Sequence, residues 1–300
     1  MKESEKSKSG PGGPQAGGGV KYAYYPGCSL HSTSFEYDRS FREVCAALNI
    51  ELEEIPDWTC CGASSAHQVS RLLAISLPVS NMLKAKEAGH EEMLVPCAAC
   101  FSRLKTAEHE MAKDPKTKAE VEEILGKKTG HAIKITHPLE IIEKIAASKD
   151  IAIKKKSGIK VACYYGCLLT KPPKVTGFDN CEYPMSMDNI LRKFGFETLD
   201  WSYKTDCCGA AFGISDPAIV KKLIRKILDN AIELGAEAIA VACPLCHTNL
   251  DVRQPELGDE KYKIPILYFT QLMGLAMEIP TEKLAVSSHL TQTDTILKRV

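Results

Sequence analysis

No apolar run in this 300-residue chain approaches the ~18 to 20 residues that a bilayer-crossing helix needs, so a membrane span is not expected. Nor is there a surplus of either charge. The 38 Lys and Arg balance the 38 Asp and Glu, and no global field draws the chain to nucleic acid or to an acidic membrane surface. Met1 to Gly19 is charged and rich in Gly, Pro and Ser, without the hydrophobic core of a signal peptide. A cytoplasmic location is therefore expected. Also missing are a G-x-G-x-x-G turn, a P-loop and a nucleophile elbow beside any strand-like run, which argues against a nucleotide site.

Cysteine, by contrast, is abundant. Of 13 cysteines, ten fall into one pattern that occurs twice: a lone Cys, then Cys-Cys-Gly, then Cys-x-x-Cys. The first copy is Cys28, Cys60-Cys61-Gly62 and Cys97-x-x-Cys100; the second is Cys167, Cys207-Cys208-Gly209 and Cys243-x-x-Cys246. The lone Cys is followed by 31 residues before the pair in copy one and 39 in copy two, and the gaps from pair to Cys-x-x-Cys are 35 and 34. In a reducing compartment, regularly spaced thiols are more often metal ligands or redox groups than a disulfide framework, and the odd total argues against full pairing.

The duplication and the length both imply two domains, and 44% hydrophobic content suffices for a sizeable core. Residues 1–20 read as a disordered tail, 21–150 as the first domain, 151–280 as the second and 281–300 as a C-terminal tail or partner-docking helix. Ser148 to Gly158, with Lys154-Lys155-Lys156, reads as a solvated linker. Tyr24-Tyr25-Pro26-Gly27-Cys28 aligns with Tyr164-Tyr165-Gly166-Cys167 if one residue is deleted, which pairs Cys163 with Ala23. Ala88-Gly89 to Leu104 aligns with Leu234-Gly235 to Leu250 without a gap.

Within a half, Lys160 to Tyr165 ends at Gly166-Cys167 and Ala238 to Ala242 ends at Cys243, as buried strands that deliver a ligand at their carboxyl ends. Between them Asp216-Pro217 is an N-cap with Pro at the first helical position. Ile219, Leu223, Ile224, Ile227 and Ala231 follow at helical spacing, and Gly235 stops the helix. Strand, helix, strand alternation predicts an α/β fold with a small, mostly parallel sheet flanked by helices in each half. Sites in such sheets gather at the carboxyl ends of the strands, where these cysteines fall.

Tetrahedral zinc takes four ligands, and a fifth thiolate has no role there. Adjacent cysteines can serve one centre only if the chain turns sharply, a freedom that Gly62 and Gly209 supply. Five convergent sulfurs suit a cluster of several irons better than a single ion. A thioredoxin-like dithiol and a zinc site in one copy stay open as alternatives. Two clusters facing one pocket could each pass one electron, and a disulfide needs two to become two thiols. A duplication that merely relays electrons is the other reading.

At these residues the chain resembles the B subunit of the heterodisulfide reductase family, over about Tyr22 to Met277. The resemblance implies two pseudo-symmetric Rossmann-like CCG domains, each carrying a noncubane [4Fe-4S] cluster held by five cysteines. By motif, one cluster would bind Cys28, Cys60, Cys61, Cys97 and Cys100, and the other Cys167, Cys207, Cys208, Cys243 and Cys246. The activity implied is reduction of a disulfide to two thiols, or the reverse, between the clusters. Leu168 stands where methanogen members have His, which weakens the coenzyme M and coenzyme B mixed disulfide as substrate. A ferredoxin-like Cys run, as fused to the similar domains of lactate- and glycolate-oxidising complexes, is absent. The family therefore implies partners: a C-type subunit with ordinary cubane [4Fe-4S] clusters, and behind it a flavin-containing A-type subunit.

Two histidines are candidate catalytic residues: His247, directly after Cys246, as a proton donor to a leaving thiolate, and His67, soon after the first pair, as a pocket residue. His137 before Pro138 is expected to be structural, Cys45 and Cys163 to be core, and Cys181 an incidental exposed thiol. Lys171 and Lys204 are candidates for a positive pocket rim.

Overall fold

The computed structural model of the chain describes residues 20–63, 66–148 and 156–300. Residues 1–19 and most of the expected linker, including Lys154 and Lys155, lie outside them. Each half builds one four-stranded sheet in which every pairing is parallel. In the first, β1 (Val20–Tyr24), β2 (Ile50–Glu54), β3 (Glu92–Leu94) and β4 (Lys134–Thr136) lie in the order β2-β1-β3-β4. In the second, β5 (Lys160–Tyr164), β6 (Glu197–Thr198), β7 (Ala238–Val241) and β8 (Ile266–Tyr268) lie in the order β6-β5-β7-β8. Parallel neighbours need crossovers, and helices such as Phe35–Ala47, Arg71–Glu87 and Ala98–Lys113 supply them in the first half. Ser186–Lys193, Pro217–Glu233 and Pro244–Val252 do so in the second. Helices on both faces explain why β7 is buried throughout.

The signals around Pro217–Glu233 act as expected at both ends. Asp216 Oδ1 accepts from the Ile219 amide at 3.2 Å, and Gly235 takes φ +75° past the last turn. The buried stripe, however, is Val220, Ile224, Ile227, Leu228 and Ala231, while Ile219 is 39% exposed. Ile219 sits in the first turn on the solvent side, so the apolar face begins one residue later.

Sheet register also corrects the alignment of the halves. Tyr24 stands opposite Leu94, three residues before Cys97, and Cys163 stands opposite Ala240, three residues before Cys243. Tyr24 thus corresponds to Cys163 and Tyr25 to Tyr164, with no deletion. Cys45 and Cys163 are buried core residues, as expected, and Cys181 is half-buried.

The halves share one continuous core. Helix Phe35–Ala47 packs on Phe269–Ala276 and Thr281–Leu284, and helix Pro138–Ser148 packs on Ser186–Lys193. Across this seam Ser40 Oγ and Thr270 Oγ1 are 2.7 Å apart. Residues 281–300 form short helical turns whose Leu284, Val286 and Ile296 are buried, so this stretch is part of the seam and not a loose end. Its few apolar residues are spaced too irregularly for a periodic signal, yet Leu284, Val286 and Ile296 each find a slot, while Leu290 stays exposed.

Candidate functional site

The lone cysteine of each half follows the central strand of its sheet across a tight turn. Gly27 and Gly166 both take φ +71°, and a Cβ on either would lie 2.9 Å from the sulfur of Cys100 or Cys246. Only glycine lets the chain approach those sulfurs so closely. The Cys-Cys-Gly loops follow β2 and β6, and Gly62 and Gly209 take φ +76° and +79°, the sharp turn that paired cysteines require. The turn leaves Cys60 and Cys207 exposed and buries Cys61 and Cys208, while the glycine amides donate to Cys60 Sγ at 3.4 Å and Cys207 Sγ at 3.3 Å.

The third strand of each half delivers the Cys-x-x-Cys. Cys97 and Cys243 occupy the N-cap positions of helices Ala98–Lys113 and Pro244–Val252. At Cys243 the first-turn amides of Leu245 and Cys246 reach the sulfur. The Cys61 and Cys100 sulfurs are 3.2 Å apart and those of Cys208 and Cys246 3.6 Å, far beyond the ~2.05 Å of a disulfide. Cys60 contacts Cys61 and Cys100 contacts Cys97; in the other half Cys167 contacts Cys207 and Cys243 contacts Cys246. Cys28 is an electrostatic neighbour of Cys60, and Cys167 one of Cys208 and Cys243, so the ten predicted sulfurs fall into two sets.

Within each set the thiols share protons unequally. Hydrogen bonds from Cys100 and Cys60 hold Cys61 down to about 3, and the same contacts push those two partners up. Cys167 holds Cys207 down to about 6. Cys246 lowers Cys243, aided by backbone amides that include that of Ala99 from the first half. The sets adjoin: helix Ala98–Lys113, which starts at Cys97 and bears Cys100, packs on the turn Cys167–Thr170 of the other half.

Several residues around the sets escaped sequence reasoning. Tyr25 donates its hydroxyl to the Thr59 carbonyl at 2.7 Å, and Tyr164 donates to the Asp206 carbonyl at 2.6 Å, each the residue before a Cys pair. Burial, then the cysteines of its own set, raises the pKa of each phenol. The available signal was a gap-free Tyr-x-Gly-Cys in both halves. His137 is structural, as expected: its Nε2 lies 3.0 Å from the Pro96 carbonyl, with a further backbone contact to Ala242, the residues just before Cys97 and Cys243. Phe178 of the second half packs on Phe101 and His137, and Tyr37 of the first half stacks on Tyr268 at 4.3 Å.

The two candidate catalytic histidines lie apart from one another. His247 is buried and stacked on Tyr268, with Nε2 3.2 Å from the Ile266 carbonyl and 2.8 Å from His289 Nδ1. Burial, then His289, holds it down to about 3, so the ring is neutral at neutral pH. His67 is exposed and lines a surface recess with Arg71, Arg103 and Glu110. Lys204 is no pocket rim: it is 1% exposed, with Nζ 2.8 Å from Asp188 Oδ1. Lys171 is half-exposed and paired with Glu182 at 3.3 Å. Among the described residues no helix is long and apolar enough to cross a membrane.

The donor chemistry fits iron–sulfur ligation: five thiols per set, some predisposed to ionise, with glycines where a side chain would collide with a sulfur. The sequence matches the Cysteine-rich domain (CCG) family twice, over residues 22–105 and 161–251. It is 28% identical to an 8-methylmenaquinol:fumarate reductase membrane anchor subunit of Wolinella succinogenes, over 90% of this chain and 96% of that one. It is 26% identical to the B subunit of the ferredoxin:CoB-CoM heterodisulfide reductase of Methanosarcina mazei, over 93% and 97%. A hypothetical protein from Helicobacter pylori shares the fold, with a TM-score of 0.74 and 13% identity over 91% of this chain. The chain spans about half, 52%, of that structure. With both halves matched and all ten motif cysteines gathered at the sheet ends, the chain belongs to the cysteine-rich CCG domain family.

Proposed function

We propose that the chain is the catalytic iron–sulfur subunit of a heterodisulfide reductase-like complex, reducing a disulfide to two thiols or running the reverse reaction. Cys28, Cys60, Cys61, Cys97 and Cys100 hold one noncubane [4Fe-4S] cluster, and Cys167, Cys207, Cys208, Cys243 and Cys246 hold the other. When bound, the two clusters supply one electron each, and two electrons with two protons convert R–S–S–R′ into R–SH and R′–SH. The observation that carries this reading is the meeting of the two thiol sets at the seam, where helix Ala98–Lys113, which starts at Cys97, packs on the turn Cys167–Thr170.

The chain's own residues fix positions. Tyr25 and Tyr164 pin the loops before the Cys pairs, and His137 ties the approach to Cys97 to the approach to Cys243. Aromatic rings of Tyr37, Tyr268, Phe101 and Phe178 exclude water from the seam. The two protons enter from solvent, which reaches the sets at the exposed Cys28, Cys60 and Cys207.

Electrons reach this chain from partners in the cytoplasm, a C-type subunit with ordinary cubane [4Fe-4S] clusters and, behind it, a flavin-containing A-type subunit. The reading is tested by titrating the oxidised, anaerobically prepared protein with a panel of thiols. A thiol-dependent paramagnetic signal is expected. Silence across the panel would favour a second reading, a non-catalytic electron-transfer module, toward which the fumarate reductase membrane anchor among the relatives points.

A further inference from the structure

Beside the second thiol set, at the seam between the halves, Glu36, His247 and His289 converge, with one ligand atom of each within 4.8 Å of the other two. They come from three separate segments: helix Phe35–Ala47, helix Pro244–Val252 and the loop that follows Val286–Ser288. Glu36 and His247 are each 5% exposed. Among the described residues the ion-pair partner of Glu36 is His247 alone, its Oε1 4.0 Å from Nδ1, and no lysine or arginine reaches it. Asp251, a second carboxylate only 2% exposed, accepts the Leu290 amide at 2.7 Å and the Thr291 amide at 3.0 Å, which pins the loop that carries His289. A carboxylate taken out of water without a cation is costly, and two imidazoles beside it are ready ligands for one.

An outer contact orients the His289 ring: its Nε2 lies 2.9 Å from Gln271 Oε1, which turns Nδ1 toward the site. An oxygen acceptor behind an imidazole is the usual support of a metal-binding histidine. On His247, Nε2 faces His289, and it exchanges its 3.2 Å contact with the Ile266 carbonyl for the metal. Two nitrogens and a carboxylate suit a divalent transition ion, zinc foremost. His247 Nε2 and His289 Nδ1 are 2.8 Å apart as a hydrogen-bonded pair. Two nitrogens on tetrahedral zinc, with bonds of about 2.0–2.1 Å, lie about 3.3 Å apart, so this pair opens by roughly half an ångström as the ion enters.

We propose that Glu36, His247 and His289 form a zinc site that clamps the first half of the chain to the second and to its C-terminal segment. The test uses the cluster-loaded full-length protein, dialysed with zinc and then against a weak chelator. About one zinc per chain should remain, with an X-ray absorption first shell of nitrogen and oxygen at about 2.0–2.1 Å and no sulfur at about 2.3 Å. Zinc affinity should fall at least about tenfold in both H289A and the near-isosteric E36Q, with the iron content unchanged. No retained zinc, a sulfur shell in the parent protein, or wild-type affinity in E36Q would each overturn the proposal. The nitrogen and oxygen shell keeps it separable from the iron reading, because zinc lodged in a thiol set shows sulfur.

Discussion

The Tyr25 hydroxyl donates to the Thr59 carbonyl at 2.7 Å, and through that one bond the turn leading to Cys28 holds the loop leading to Cys60. Tyr164 and Asp206 repeat the relationship in the second half at 2.6 Å. A buried hydrogen bond is worth about 1 kcal/mol, so Tyr25→Phe and Tyr164→Phe should each lower the melting temperature by about 2–4 °C. Each should also make the cluster of its own half more easily lost, which iron content after timed exposure to a chelator would show.

Gly27 and Gly166 offer a sharper perturbation, since a methyl group at either meets a sulfur at 2.9 Å on a backbone at φ +71°. Gly27→Ala and Gly166→Ala should each abolish one cluster, leaving about four of eight irons. Gly126→Ala is the control. It carries the same backbone strain at φ +63° with nothing within 4 Å, and should keep all its iron.

Lys204 and Asp188 form an ion pair at 2.8 Å in which neither side chain is more than 1% exposed. The Lys204 carbonyl also accepts the Tyr165 and Gly166 amides, next to Cys167. Lys204→Met leaves the buried Asp188 carboxylate with the Tyr165 hydroxyl at 2.8 Å and a long 3.9 Å contact to Arg192, and should cost about 3 kcal/mol by chemical denaturation. Lys171→Met, at an exposed pair, should change stability by about 0.5 kcal/mol or less.

His137 gives the chain an acid sensitivity. Burial holds it down to about 3, whereas the unfolded chain takes up the proton near the ordinary histidine value of 6.5. Protons therefore favour the unfolded state between those values. The stability this group provides is complete above 6.5 and is lost as pH falls toward 3, at up to about 1.4 kcal/mol per pH unit. Denaturation curves between pH 7 and 4 should show a slope shallower by up to one proton in His137→Phe than in the parent.

The cysteine pattern and the strand, helix, strand rhythm of the second half were legible because each is a local regularity: fixed spacings, an Asp-Pro start and a Gly stop. The Tyr-Tyr pairs match with one deletion if each first tyrosine is paired with the other, and pairing with β3 and β7 decides for the gap-free Tyr-x-Gly-Cys. Lys204 reads as a pocket-rim candidate in the sequence because its partner, Asp188, lies 16 residues away on a helix. His289 has no sequence signal, since its neighbours Glu36 and His247 are assembled by packing between the halves and leave no spacing to read. His247 was noticed for its place after Cys246, yet its ring contacts lie with Tyr268, Ile266 and His289.

The most direct measurement is an anaerobic crystal structure with iron anomalous scattering. Two separate four-iron groups are expected, one bonded to the sulfurs of Cys28, Cys60, Cys61, Cys97 and Cys100, the other to those of Cys167, Cys207, Cys208, Cys243 and Cys246. Sulfurs joined to one another as disulfides, or a single zinc in either set in place of iron, would contradict it.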